Sequence, residues 1–317
     1  MRRVLVTGAS TPLGEQLIER LINDYMVEYI LAVCEQGSPL TLPENSRVEV
    51  FEIPMRKQRK IHDLLFGPAR ESKIDTLVHT SKVHSARREG AAVHQYNVES
   101  FRSILDFAER HPTISRLVLC SGAEVYQVQR DLPSLIAEQH PLNMNDGAPQ
   151  WIRDRVEADV MACTRMGLTS LKIAVLRMAE ILAPGSGSQF YDYLQDPICL
   201  CPIGFDPMFN FLTQDDAASA LQKAIHSEEQ GVFNIPGADT LPLYDAVAKW
   251  GRVAIPTPSL LALQVYRVRR LLGRGDFRYG MNRRRFHFTG ILDGRRAAEI
   301  LGYIPAHPVD WPVHIVE

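Results

Sequence analysis

Short apolar runs alternate with longer amphipathic stretches through the first half of the chain. Runs rich in Val, Ile and Leu occupy 3–7, 29–33, 48–53, 75–79, 116–120 and 171–177. Between them, apolar positions recur at helical spacing over 13–24, 61–66, 92–109 and 152–166. An apolar residue every three or four positions gives a helix one buried face, whereas a short unbroken apolar run suits a strand covered on both sides. The alternation predicts an α/β fold with a doubly wound parallel sheet, because right-handed crossovers place helices on both faces. After position 177 the pattern loosens. Ala183-Pro-Gly-Ser-Gly-Ser188 is a turn-rich break. Beyond it, 209–212 and 231–236 read as strands, and 215–226 as a helix opened by an acidic cap. The expected organisation is one unit. Residues 1–180, completed by 209–237, form the core, and 181–208 with 238–317 form a small lobe.

Composition narrows the reading. Hydrophobic residues make up 45% and charged residues 23% of 317 positions, and the formal net charge is -2. These are ordinary globular values, and no basic excess points to nucleic acid. The five cysteines are an odd count, which argues against a disulfide framework. Cys199 and Cys201 would share one strand face; no paired Cys/His motif answers them as a metal site, so they read as small apolar residues. No apolar run reaches the roughly 18 residues needed to span a bilayer. The chain opens on a strand pattern without a leader-like apolar stretch, and the expected location is cytoplasmic.

Candidate chemistry begins at Val4-Leu-Val-Thr-Gly-Ala-Ser-Thr-Pro-Leu-Gly14, between the first strand and the first helix. Gly8 permits a tight turn, and Gly14 permits close packing of helix on strand. The helix N-terminus then offers N–H groups and a positive dipole end to a pyrophosphate. Further along come Asp75-Thr-Leu-Val-His79, Asn97, Leu117-Val-Leu-Cys-Ser-Gly-Ala-Glu-Val-Tyr126, Val175-Leu-Arg177, Phe211-Leu-Thr-Gln-Asp-Asp-Ala217 and Gly231-Val-Phe-Asn-Ile-Pro-Gly237.

In the order and spacing of these segments the chain resembles, almost end to end, the extended short-chain dehydrogenase/reductase family of NAD-dependent epimerases and dehydratases. The resemblance implies a Rossmann core and an NAD(P) site built by Gly8, Ser10, Thr11, Leu13, Gly14, Glu35, Thr80, Lys82, Asn97 and Arg155. It implies a small-molecule substrate, nucleotide-linked in much of the family, and a homodimer joined by helices that include the one bearing Trp151. Several positions depart from the family pattern. Thr11 replaces the middle glycine of the loop, where a β-branched side chain can obstruct the pyrophosphate. Cys34 stands at the ribose-binding acidic position, followed by Glu35. A carboxylate there would accept from the ribose 2′-hydroxyl and favour NAD over NADP; a solvated loop glutamate is the alternative. Pro54 and Met55 replace Asp-Leu, and Thr80-Ser-Lys82 replaces a small apolar triplet.

The family's catalysis uses a tyrosine, a lysine four residues later on the same helix face, and a Ser or Thr. The matching helix carries Trp151 and Arg155 instead. Indole N–H donates but does not titrate in water, and the guanidinium stays charged. The Ser/Thr position falls at Gly122, or at Ser121 if the register shifts by one. Three explanations follow: a nucleotide-binding protein without turnover, another acid (Tyr126, Tyr191, Tyr193, His79 or His84), or a shifted register.

In the lobe, Phe205, Met208, Phe209 and Phe211 would make a substrate pocket apolar, or simply pack the core. Residues 260–296 hold ten arginines, among them Arg267, Arg269, Arg270, Arg283, Arg284 and Arg285. Leucines interleave with the first of these. Such a helix binds an anionic membrane surface or a substrate phosphate, or lies solvated over the lobe.

Overall fold

The structure is a computed structural model that describes residues 1–43, 45–82, 89–145, 147–273 and 276–312. His84 and Arg274 lie outside the described residues. The first part of the chain runs β1 (Arg2–Thr7), α1 (Pro12–Ile22), β2 (Val27–Glu35), β3 (Val48–Ile53), α2 (Gln58–Leu64), β4 (Thr76–His79), α3 (Ala91–His94), α4 (Ser100–Ala108) and β5 (Arg116–Gly122). Next come β6 (Leu135–Ile136), α5 (Gln150–Arg165), β7 (Lys172–Met178), β8 (Glu180–Ile181), α6 (Gln189–Leu194), β9 (Ile198–Pro202) and β10 (Met208–Leu212). The chain continues with α7 (Gln214–His226), β11 (Gly231–Ile235), β12 (Asp239–Pro242), α8 (Leu243–Lys249), β13 (Val253–Thr257), α9 (Ser259–Leu271), α10 (Tyr279–Asn282) and β14 (Ile291–Leu292).

The main sheet has the order β11-β7-β5-β4-β1-β2-β3, and every pair in it is parallel. This is the doubly wound sheet that the alternating pattern predicts. Its strand order reverses between β1 and β4, which opens a crevice at their carboxyl ends. One face carries α1 and α7, where Leu17, Ile18 and Leu21 meet Ala217, Leu221 and Ile225. The small residues of α7 let the two helices approach closely. The other face carries α2, α4 and α5 over Leu5, Leu77, Leu117 and Ile173.

The lobe has its own core of Phe190, Tyr193, Phe209, Phe211, Tyr266, Phe277 and Phe286. Here the structure departs from the expected boundaries. Residues 208–212 do not extend the core sheet; β10 pairs with β8 and β12 in a separate three-stranded sheet. The reason lies in its aromatic side chains. Phe209 and Phe211 pack at tilted angles against Phe190, so the strand belongs to the lobe's interior. The helix that follows is capped by Thr213, whose side chain accepts the Asp216 N–H, rather than by an acid. Asp216 instead holds the C-terminal segment, accepting from the N–H groups of Ala306 and His307. Cys199 and Cys201 are buried against Tyr193.

Candidate active site

The loop from β1 to α1 touches the segment after β4. Gly8 has φ +72°, and a Cβ there would fall 2.8 Å from the Ser81 Cα. A Cβ on Gly14 would fall 2.1 Å from the Gly8 carbonyl oxygen. Both glycines are therefore required by space, and Gly8 also by conformation. Thr11 caps α1. Its Oγ1 donates to the Gly8 carbonyl at 2.7 Å and accepts the Gly14 N–H at 3.1 Å. Its hydroxyl thus turns into the loop. Pro12 follows as the first helical residue and has no N–H. Of the first-turn positions, Leu13 alone keeps an N–H that the loop itself does not use. Thr80 steadies the turn by donating to the Thr7 carbonyl at 2.7 Å.

A cleft of about 410 Å³ opens in front of this loop. Thr11, Pro12, Leu13, Thr80 and Lys82 line it from the core, and Gly185, Ser186, Tyr191 and Asp192 line it from the lobe. At the end of β2, Cys34 is fully buried and hydrogen-bonded with Ser10, and burial raises its pKa. Glu35 accepts the Met55 N–H at 3.0 Å, which ties the end of β2 to the turn after β3.

Lys82 borders this cleft and two smaller adjoining cavities. Its Nζ lies 3.7 Å from the Cys120 thiol, and among the described residues it has no carboxylate partner. Burial, and then the nearby Arg155 charge, lower its pKa to about 8.

Trp151 and Arg155 sit one turn apart on α5, both largely buried. The guanidinium lies over the indole at 5.8 Å and forms an ion pair with Glu124. Burial lowers the Arg155 pKa to about 10. A Cβ at Gly122 would meet the Glu124 carboxylate at 2.2 Å and the Arg155 Nη1 at 2.6 Å. The tips of these two side chains would have to shift to admit a serine at 122. Beside it, Arg285 pairs with Glu180 at 2.6 Å and borders the same cavity.

The remaining predicted residues divide between the cavities and the framework. Ser121 lines both smaller cavities beside Trp151 and Arg155 and donates to Asp159 at 2.6 Å, and Asp159 binds Arg177 through both oxygens. The Tyr126 hydroxyl donates to Asn234 at 2.6 Å and accepts from Arg177 at 3.0 Å. Burial raises its pKa to about 12, so this phenol is a framework group. Tyr193 is buried with Cys201. His79 shares a hydrogen bond with Thr7 at 2.8 Å, and burial lowers its pKa to about 3, leaving it neutral. Asn97 donates to Asp154 at 3.3 Å and borders the cavity that holds His79, Lys82, Trp151 and Arg155. Tyr191 borders the main cleft. Phe211 lies in the lobe core; Phe209 packs there too and, with Met208, lines a small cavity beside Glu180 and Arg285, while Phe205 is exposed against His287.

The sequence profile of the NAD dependent epimerase/dehydratase family matches residues 4–194, which span the loop, Lys82, Glu124 and α5. The chain belongs to this family. It is 27% identical over 310 residues to an uncharacterised protein of Mycobacterium tuberculosis, an alignment covering 95% of this chain and 80% of that one. Its fold is similar to that of a dTDP-glucose 4,6-dehydratase from Bacillus anthracis solved with NAD. That match has TM-score 0.68 and 16% identity, and covers 97% of this chain and 92% of the other. It is also similar to a UDP-N-acetylglucosamine 4-epimerase from Methanobrevibacter ruminantium, with TM-score 0.71 and 12% identity over 96% and 93% of the two chains.

Within this family's fold, two site residues had escaped the sequence reading. Pro12 was readable, since a proline in the first helical turn removes a donor wherever that turn binds a ligand. Glu124 was not, because its partner lies on a helix 31 positions away and only the folded chain joins them.

Proposed function

We propose that this protein binds a nicotinamide dinucleotide in the cleft before α1 and does not perform the family's tyrosine-dependent hydride chemistry. The observation that carries this reading is that α5 presents Trp151 and an Arg155 ion-paired with Glu124 to the cavities, and neither side chain passes a proton as a phenol does. The cleft fits the cofactor in its backbone: Gly8 and Gly14 leave room that a side chain would occupy. When bound, a nicotinamide supplies a hydride acceptor or donor. The chain's own residues would act as follows. The Leu13 N–H and the Lys82 ammonium would face the pyrophosphate, Lys82 offsetting the donors withdrawn by Pro12 and Thr11. Glu35 would accept from the ribose 2′-hydroxyl and disfavour a 2′-phosphate, so NAD(H) would bind better than NADP(H). No phenol stands where the family moves its proton.

One observation favours a second reading, in which turnover persists. Lys82 is an amine with pKa about 8 on the wall of all three cavities, and such a group can hold or release a proton near neutral pH. The two readings separate on one experiment. The protein is mixed with NADH and a panel of nucleotide-linked 4-keto sugars, and hydride transfer is followed by NADH absorbance. The first reading predicts binding without oxidation. Oxidation that rises and falls with a pKa near 8 and vanishes in Lys82→Met would support the second.

A further inference from the structure

We propose that α9 docks the protein on an anionic lipid surface, lying in the headgroup layer rather than crossing it. The helix is amphipathic in the unusual sense. Its inward face is small: Ala262 and Tyr266 are the buried positions of Ser259–Leu271. Its outward face is mostly apolar, interrupted by the exposed Gln264. Leu260, Val268 and Leu271 recur at intervals of eight and three, so they share one stripe, and Leu261 and Leu272 widen it. Leu260 is 71% exposed and Leu271 85% exposed. These are the residues that a solvated helix would turn inward.

Charge identifies the occupant. Ser259–Leu271 contains no Asp or Glu. Arg267 and Arg270 are exposed along one edge of the apolar stripe and form no ion pair among the described residues. Arg269, on the other side, is held to Asp196 at 3.0 Å and lies over the Tyr266 ring, which fixes the helix on the lobe. An apolar stripe edged by unpaired arginines matches a layer with acyl chains below and anionic headgroups above. A second protein chain with an apolar groove would satisfy the leucines but leave these arginines without counter-charge. No helix among the described residues is long and apolar enough to cross a membrane, so the contact is interfacial. This surface is independent of the dinucleotide cleft, and the proposal does not rest on the reading of that site.

The test is co-sedimentation of the full chain with vesicles of phosphatidylcholine, with and without phosphatidylserine. The wild-type protein should pellet with anionic vesicles and bind neutral ones at least about tenfold more weakly. Binding to anionic vesicles should fall steeply towards about 1 M salt, where the Debye length is roughly 3 Å. R267E/R270E should weaken the anionic partition about tenfold or more, and L260S/L271S should weaken it with the charge unchanged. All the altered side chains are exposed, and circular dichroism should be unaltered. Three results would overturn the proposal. They are no pelleting with anionic vesicles, pelleting that neither variant changes, and a dimer in sedimentation velocity that L260S/L271S converts to monomer. The last would show that a second copy covers this face.

Discussion

Lys82 borders the cleft and both smaller cavities, and its surroundings make it an informative titratable group there. Its pKa of about 8 lies below the ordinary lysine value of 10.5. Between these two values the unfolded chain holds the proton that the folded chain has released. Stability therefore rises with pH through that window, and below it the folded state carries the penalty of a half-buried ammonium. Lys82→Met should accordingly raise the melting temperature at pH 7 by about 2–4 °C, with the gain vanishing as pH passes 10. Scanning calorimetry of both proteins across pH 7–10.5 checks this, and an unchanged difference would remove the buried-cation account. Gly122 gives a second prediction. Gly122→Ser should destabilise the wild type by about 1–3 kcal/mol through overpacking. In a Glu124→Ala background the same change should cost less, with a coupling of at least about 1 kcal/mol. Additive effects in this double-mutant cycle would mean that the ion pair does not occupy that space.

The elements themselves were largely legible, and the reasons differ by region. The strand-and-helix alternation up to 177 corresponds to β1 to β7 because nearly continuous apolar runs and helical spacing are local signals. Gly8 and Gly14 were legible for the same reason: the turn and the close contact they permit lie within one loop. The strand expected at 209–212 is present, but it does not help complete the core, because a strand's sheet is set by distant partners, here Asp239–Pro242 and Glu180–Ile181. Ser121 and Tyr126 read as candidate chemistry in sequence, yet β5, α5, β7 and β11 converge to bury their hydroxyls in one network with Asp159, Arg177 and Asn234. That network joins the site-bearing helix to the sheet. Asp159→Ala leaves Arg177 buried without its counter-charge and should cost about 3–5 kcal/mol. Urea denaturation checks it. A loss below about 1 kcal/mol would show that water or another group replaces the carboxylate.

At the scale of the whole molecule, the family fold is present, and the proposal concerns the centre of its site. The parallel sheet still opens a crevice at its strand-order reversal, and the loop glycines still shape the wall of the cleft. Around them, Pro12 and Thr11 withdraw backbone donors, Lys82 brings a cation, and Glu124 with Arg155 crowds the space at Gly122. The lobe adds an apolar, arginine-edged helix that the cleft does not use. Titration calorimetry of the intact protein with NAD, NADH, NADP and NADPH tests the central claim most directly. The account predicts one site that prefers NAD(H), is lost in Gly8→Val, and is weakened and made less salt-sensitive in Lys82→Met. At 100 times its Kd the ligand should also add roughly 2.7 kcal/mol to stability. Absence of heat and of stabilisation with all four nucleotides would contradict it.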